Sequence, residues 1–78
     1  METKIKVLIA EDQELTSMGL KSLLSKQPDI EVVGIASDGE KAVKMTLEAK
    51  PDVVIMDIGL PVMNGIDATA KIREHAPQ

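Results

Sequence analysis

The sequence predicts an α/β domain built on a parallel sheet, and three observations carry that reading. Short β-branched runs alternate with segments of helical period, in the order βαβαβα. The first and third runs, IKVLIA and VVIM, are apolar almost throughout, as strands covered on both sheet faces are. Pro28 and Pro51 stand where each helix must end, because the residue before a proline disfavours the α region.

Each element has its own reason. Ile5 to Ala10 (IKVLIA) reads as the first strand. From Gln13 to Lys26 the period becomes helical: Leu20, Leu23, Leu24 and Gln27 share a face, with Leu15 and Met18 flanking it. Ile30 to Ala36 (IEVVGIA) is the second strand. Ser37-Asp38-Gly39-Glu40 reads as a capping box with Ser37 as N-cap. Ala42, Met45, Thr46 and Ala49 then form an apolar helical stripe, stopped by Lys50-Pro51-Asp52. Val53 to Met56 is the third strand and runs into Asp57. After a loop with Gly59, Pro61 and Gly65, a last helix is expected from near Asn64, with Gly65, Ala68, Thr69 and Ile72 on one face. Right-handed crossovers leave few topologies, and the commonest is the flavodoxin-like order 2-1-3.

Composition sets the outer bounds. The 78 residues hold nine Lys and Arg against thirteen Asp and Glu, a net charge of −4, with 44% hydrophobic and 28% charged residues. That is ordinary for a globular chain and too short for more than one domain. There is no cysteine, so disulfides, thiolate zinc sites and thiol nucleophiles drop out. There is no Phe, Tyr or Trp, so no aromatic platform can stack bases. The acidic balance argues against direct nucleic-acid binding by this segment. No apolar run approaches the roughly 18 residues of a membrane span, and Met1-Glu2-Thr3-Lys4 does not open a signal peptide. The expected compartment is the cytoplasm.

In open α/β sheets, ligands bind beyond the carboxyl ends of the strands where the strand order reverses. In a 2-1-3 sheet that point lies between the first and third strands. The sequence puts Glu11 and Asp12 after the first and Asp57 after the third. Converging carboxylates raise one another's pKa or recruit a cation. Magnesium takes such oxygen ligands and leaves positions for a phosphoryl oxygen. A carboxylate beside that metal can itself become an aspartyl phosphate, and Asp57 is fixed for this by its strand end. The bland readings are that Asp57 caps a turn, that Asp12 is the N-cap of the first helix, and that Gly59, Pro61 and Gly65 only shape the loop. His75, the only histidine, reads as a solvated cation at a helix end.

Glu11-Asp12, Asp57 within VVIMDIGLPVMNG, Pro61 and Gly65 together resemble the receiver domain of bacterial two-component response regulators. The stretch PDIEVVGIASDGEKAV is most similar to receivers that precede a helix-turn-helix DNA-binding domain. The resemblance implies that Asp57 is the phosphoacceptor, Asp12 a direct Mg2+ ligand, Glu11 a ligand through water, and the Gly59 carbonyl the third protein ligand. It implies a histidine kinase as partner and an attached DNA-binding output domain. The whole chain, 1–78, then corresponds to the N-terminal part of a receiver. The family's fourth and fifth strands, with their Ser or Thr, Lys and switch aromatic, have no counterpart in it.

Two alternatives stand beside that reading. One is a signalling-dead fragment that self-associates, as a homodimer or higher, through the unpaired edge of its third strand. The other is a Mg2+-dependent phosphohydrolase, ranked last because no general acid is apparent.

Overall fold

The computed structural model describes residues 4–75. The elements run β1 (Ile5–Ala10), α1 (Glu14–Ser25), β2 (Ile30–Ala36), α2 (Gly39–Ala49), β3 (Val53–Met56) and α3 (Gly65–His75). The three strands form one parallel sheet in the order β2-β1-β3, as the alternation of periods predicts. β1 is the centre strand. Ile9 lies beside Ile35 on one side and Ile55 on the other. Between Val7 and Leu8 the register with β2 slips by one residue, a bulge that leaves Val33 unpaired with β1.

The core sits on β1 and on the layer of α2. Val7, Leu8, Ile9 and Ala10 are buried, and Ala10 packs with Ala36, Ala42 and Leu60. Met45 and Met56 fill the space around that cluster, which is the gap-filling role expected of methionine. A Cβ at Gly34 would come within 2.6 Å of the Met45 methyl carbon, the end of a flexible side chain that would have to turn aside.

Six local expectations are corrected. The N-cap of α2 is Asp38, not Ser37: its carboxylate accepts the Lys41 N–H at 2.7 Å, and with Lys41 in place of a Glu or Gln three residues on, this is a simple N-cap and not a capping box. The N-cap of α1 is Gln13, without a side-chain bond, so Asp12 does not cap that helix. The inward face of α1 holds Ser17, Leu20 and Leu24, whereas Leu23 is 63% exposed. In β3 only Val54 and Met56 are half-buried; Val53 and Ile55 face outward at 47% and 37% exposure. An apolar run therefore marks β3 as a strand without telling how much of it is covered. Ala49 and Thr69 are exposed as well, which narrows the stripes of α2 and α3. The side chain of His75 lies outside the described residues.

Candidate functional site

The site begins with the strand ends. β1 and β3 are parallel neighbours, so their carboxyl ends open side by side. The Glu11 N–H donates to the Ala36 carbonyl at 2.9 Å, and the Asp57 N–H to the Ala10 carbonyl at 3.0 Å. These ladder bonds hold the first residues beyond each strand. As a result, Glu11, Asp12 and Asp57 meet: each offers a carboxylate oxygen, and the oxygens lie within 4.8 Å of one another. Glu11 and Asp57 are half-buried and Asp12 is exposed.

Local bonds orient two of the carboxylates. Glu11 Oε1 accepts the Gln13 N–H at 3.1 Å. Asp57 Oδ1 accepts the Gly59 N–H at 3.3 Å. The cluster also lies at the N-terminal end of α1, where the unpaired backbone N–H groups carry partial positive charge. The donor set is oxygen only, with one member open to solvent, which fits a hard divalent cation that keeps several waters.

The loop from Asp57 to Gly65 is held at several points. Leu60 is buried in the core. The Pro61 carbonyl accepts from Gly39 N–H at 3.2 Å and Met63 N–H at 2.7 Å. The Gly65 N–H donates to the Ile58 carbonyl at 2.8 Å, and a Cβ on Gly65 would overlap the Asp57 carbonyl oxygen. Gly65 thus allows α3 to start directly against the backbone of Asp57 and Ile58. Asn64 caps that helix: its Oδ1 accepts the Asp67 N–H at 2.9 Å.

The sequence reading missed two residues of this loop system. Val62 adopts a left-handed conformation, φ 68°, although it is β-branched. Nothing in the string Pro61-Val62-Met63 announces that, since valine is a residue such a position disfavours. Gly39 contacts the loop through Met63, and its only outward sign is a glycine at the first position of a helix.

Comparison with known proteins decides the family. A model described as the response regulator receiver domain matches residues 7–78. The chain belongs to the receiver domain family. It is 48% identical over 68 residues to the transcriptional regulatory protein LiaR of Bacillus subtilis, covering 87% of this chain and 32% of that protein. It is 47% identical over 73 residues to a protein-glutamate methylesterase/protein-glutamine glutaminase of Thermotoga maritima, covering 94% of this chain and 21% of that one. The crystal structure of the response regulator domain of Thermotoga maritima CheB superimposes with a TM-score of 0.93 at 45% identity. That match covers 96% of this receiver chain and 56% of the other. The chain thus spans a third or less of the length of these curated relatives. Receiver domains are not enzymes in the ordinary sense; at most they catalyse their own phosphorylation and dephosphorylation. The fold expectation, a flavodoxin-like receiver with strand order 2-1-3, holds.

Proposed function

We propose that this chain is the phosphoacceptor part of a signalling protein and that Asp57 takes a phosphoryl group from a partner histidine kinase. One observation carries the reading: Glu11, Asp12 and Asp57 converge at adjacent strand ends of a receiver fold. In the transfer, an Asp57 carboxylate oxygen attacks the phosphorus of a phosphohistidine. The P–N bond breaks, its electron pair stays on the imidazole nitrogen, which takes up a proton, and Asp57 becomes an acyl phosphate. Mg2+, when bound, supplies positive charge between the carboxylates and the incoming phosphoryl oxygens. Asp12 and Asp57 are its direct ligands in this reading, Glu11 acts through water, and the backbone carbonyl of Gly59 completes the protein set. The chain's own contribution is position: the Gly59 N–H holds the Asp57 carboxylate, and the start of α1 offsets the negative charge of the cluster.

The domain is the N-terminal part of a receiver that works in the cytoplasm, and the output is transcriptional, through an attached helix-turn-helix domain. Similarity to a transcriptional regulator supports that output. No helix among the described residues is long and apolar enough to cross a membrane.

Incubation with Mg2+ and acetyl phosphate, followed by intact mass measurement, tests the core of this. The wild-type chain gains one phosphoryl group and Asp57→Asn gains none. A wild-type chain that stays unmodified, or an adduct that persists in Asp57→Asn, overturns the assignment. Sustained phosphate release over many turnovers would point to the hydrolase instead.

A second reading concerns partners. β3 is an edge of the sheet among the described residues, and Val53, Ile55, Ile58 and Ile66 around it are exposed. Together they favour self-association of the 78-residue chain through that edge.

A further inference from the structure

Gly39 opens α2 in a conformation that any L-residue can adopt, since no described glycine has a positive φ. Helix propensity alone would favour alanine there. The reason for glycine is space. A Cβ on Gly39 would overlap the Met63 carbonyl oxygen and come within 2.9 Å of the Met63 Cβ. Two of the three atoms it would meet are backbone, so a side-chain rotation cannot relieve the clash. The Gly39 N–H also donates to the Pro61 carbonyl at 3.2 Å. Gly39 is therefore the floor on which the middle of the β3–α3 loop rests, and it sits on a different element from every carboxylate of the site.

We propose that Gly39 is a positioning residue for the candidate metal site, acting through the Pro61–Met63 seat. The physical chain is short. Pro61 and Met63 are fixed on the first turn of α2, Leu60 is fixed in the core, and the Gly65 N–H closes the loop on the Ile58 carbonyl. Ile58, tied to Gly65, and Gly59 lie between the end of β3 and Leu60; the Gly59 N–H orients Asp57, and the Gly59 carbonyl is the third protein ligand in the proposed set. A methyl group at position 39 lifts Met63, and the shift runs on through Asn64 to Gly65, whose N–H holds the Ile58 carbonyl, and so to Gly59. Groups that only orient metal ligands are nevertheless costly to disturb, typically about 10–100-fold in affinity.

This inference rests on the metal-site reading, and its test separates the two. The first arm needs no metal. In EDTA, Gly39→Ala should shift the amide NMR resonances of Ile58, Gly59 and Gly65, while those of β1 and β2 stay in place. The second arm measures Mg2+ affinity, which should fall about tenfold or more in Gly39→Ala. Gly19→Ala is the control, because a Cβ at Gly19 meets nothing within 4 Å, and its Mg2+ affinity should match wild type. The third arm uses the unmutated chain, so it survives if Gly39→Ala does not fold: Mg2+ should slow hydrogen exchange at the Gly39 amide. Loop resonances unmoved by Gly39→Ala, or equal Mg2+ affinity in a folded Gly39→Ala, or Gly39 exchange indifferent to bound Mg2+, would overturn the role of Gly39. A wild-type chain that binds no Mg2+, with the loop still displaced in EDTA by the substitution, would instead overturn the metal-site reading and leave the Gly39 seat standing as a purely mechanical one.

Discussion

At the residue scale, two described non-glycine residues have a positive φ: Lys50, at the C-cap of α2, and the β-branched Val62, where the conflict is sharper. Its φ of 68° is a region that costs an L-residue about 1–2 kcal/mol, and valine is among the residues least suited to it. The side chain is 76% exposed, so little packing offsets that cost. The cost is tolerated because the neighbours over-determine the turn: Pro61 is held by Gly39, and its carbonyl also takes the Met63 N–H. Asparagine tolerates this region far better. Val62→Asn should therefore stabilise the fold by about 1 kcal/mol, which for a domain this small raises Tm by roughly 4–8 °C. Thermal unfolding followed by circular dichroism checks it; a Tm that stays level or falls means that the valine is not strained. The Mg2+ affinity of Val62→Asn should rise or hold, because the substitution relaxes the turn without moving its anchors.

At the element scale, the start of α3 matters most, since that helix begins against the backbone of Asp57. Asn64 Oδ1 accepts the Asp67 N–H at 2.9 Å, and Asn64 Nδ2 donates to Asp67 Oδ2 at 3.3 Å. Removing such a cap costs about 1 kcal/mol. Asn64→Ala should lower the urea midpoint accordingly with m unchanged, and Asn64→Ser should recover most of the loss; equal midpoints for all three would deny Asn64 its capping role. The elements were largely legible in the sequence, and the reasons are local. The bounds of β1, β2 and β3 agree with expectation because each β-branched run ends at a polar residue, Glu11, Ser37 and Asp57 in turn. The cap of α2 was misplaced by one residue because Ser37 and Asp38 are both good N-caps, and only the backbone angle decides which carboxyl or hydroxyl reaches Lys41. The face of α1 was misjudged because Leu20, Leu23 and Leu24 span a wide arc, and period alone does not say which end of the arc meets the sheet. The carboxylate cluster was legible because parallel strands in 2-1-3 order must bring those ends together. Gly39 and Val62 were not, since both depend on a contact between elements remote in sequence.

At the scale of the whole molecule, the sheet has two edge strands among the described residues, β2 and β3. β1 is paired on both edges, but β3 presents its outer edge with Val53 and Ile55 on one face. On the other side of that edge, Met56, Ile58, Gly65, Ile66 and Thr69 line an open apolar groove. A two-fold axis perpendicular to the sheet would pair β3 with its symmetry mate in antiparallel fashion and keep side chains of like parity together. Centred on Val54, that arrangement sets Val53 of each copy opposite Ile55 of the other, a β-branched pair of the kind that stabilises sheets. It also brings Asp52 of one copy beside the Met56–Asp57 end of the other, where like charges repel. A divalent cation held by Glu11, Asp12 and Asp57 removes that repulsion, so association should be tighter in Mg2+ than in EDTA. Sedimentation velocity at micromolar and higher concentrations, in both conditions, measures this directly. Val53→Lys places a charge in the centre of the pairing and should leave a monomer whose far-ultraviolet circular dichroism matches that of the unmutated chain. A wild-type chain that stays monomeric throughout, or a Val53→Lys chain that associates as well as wild type, would show that the β3 edge does not join two copies.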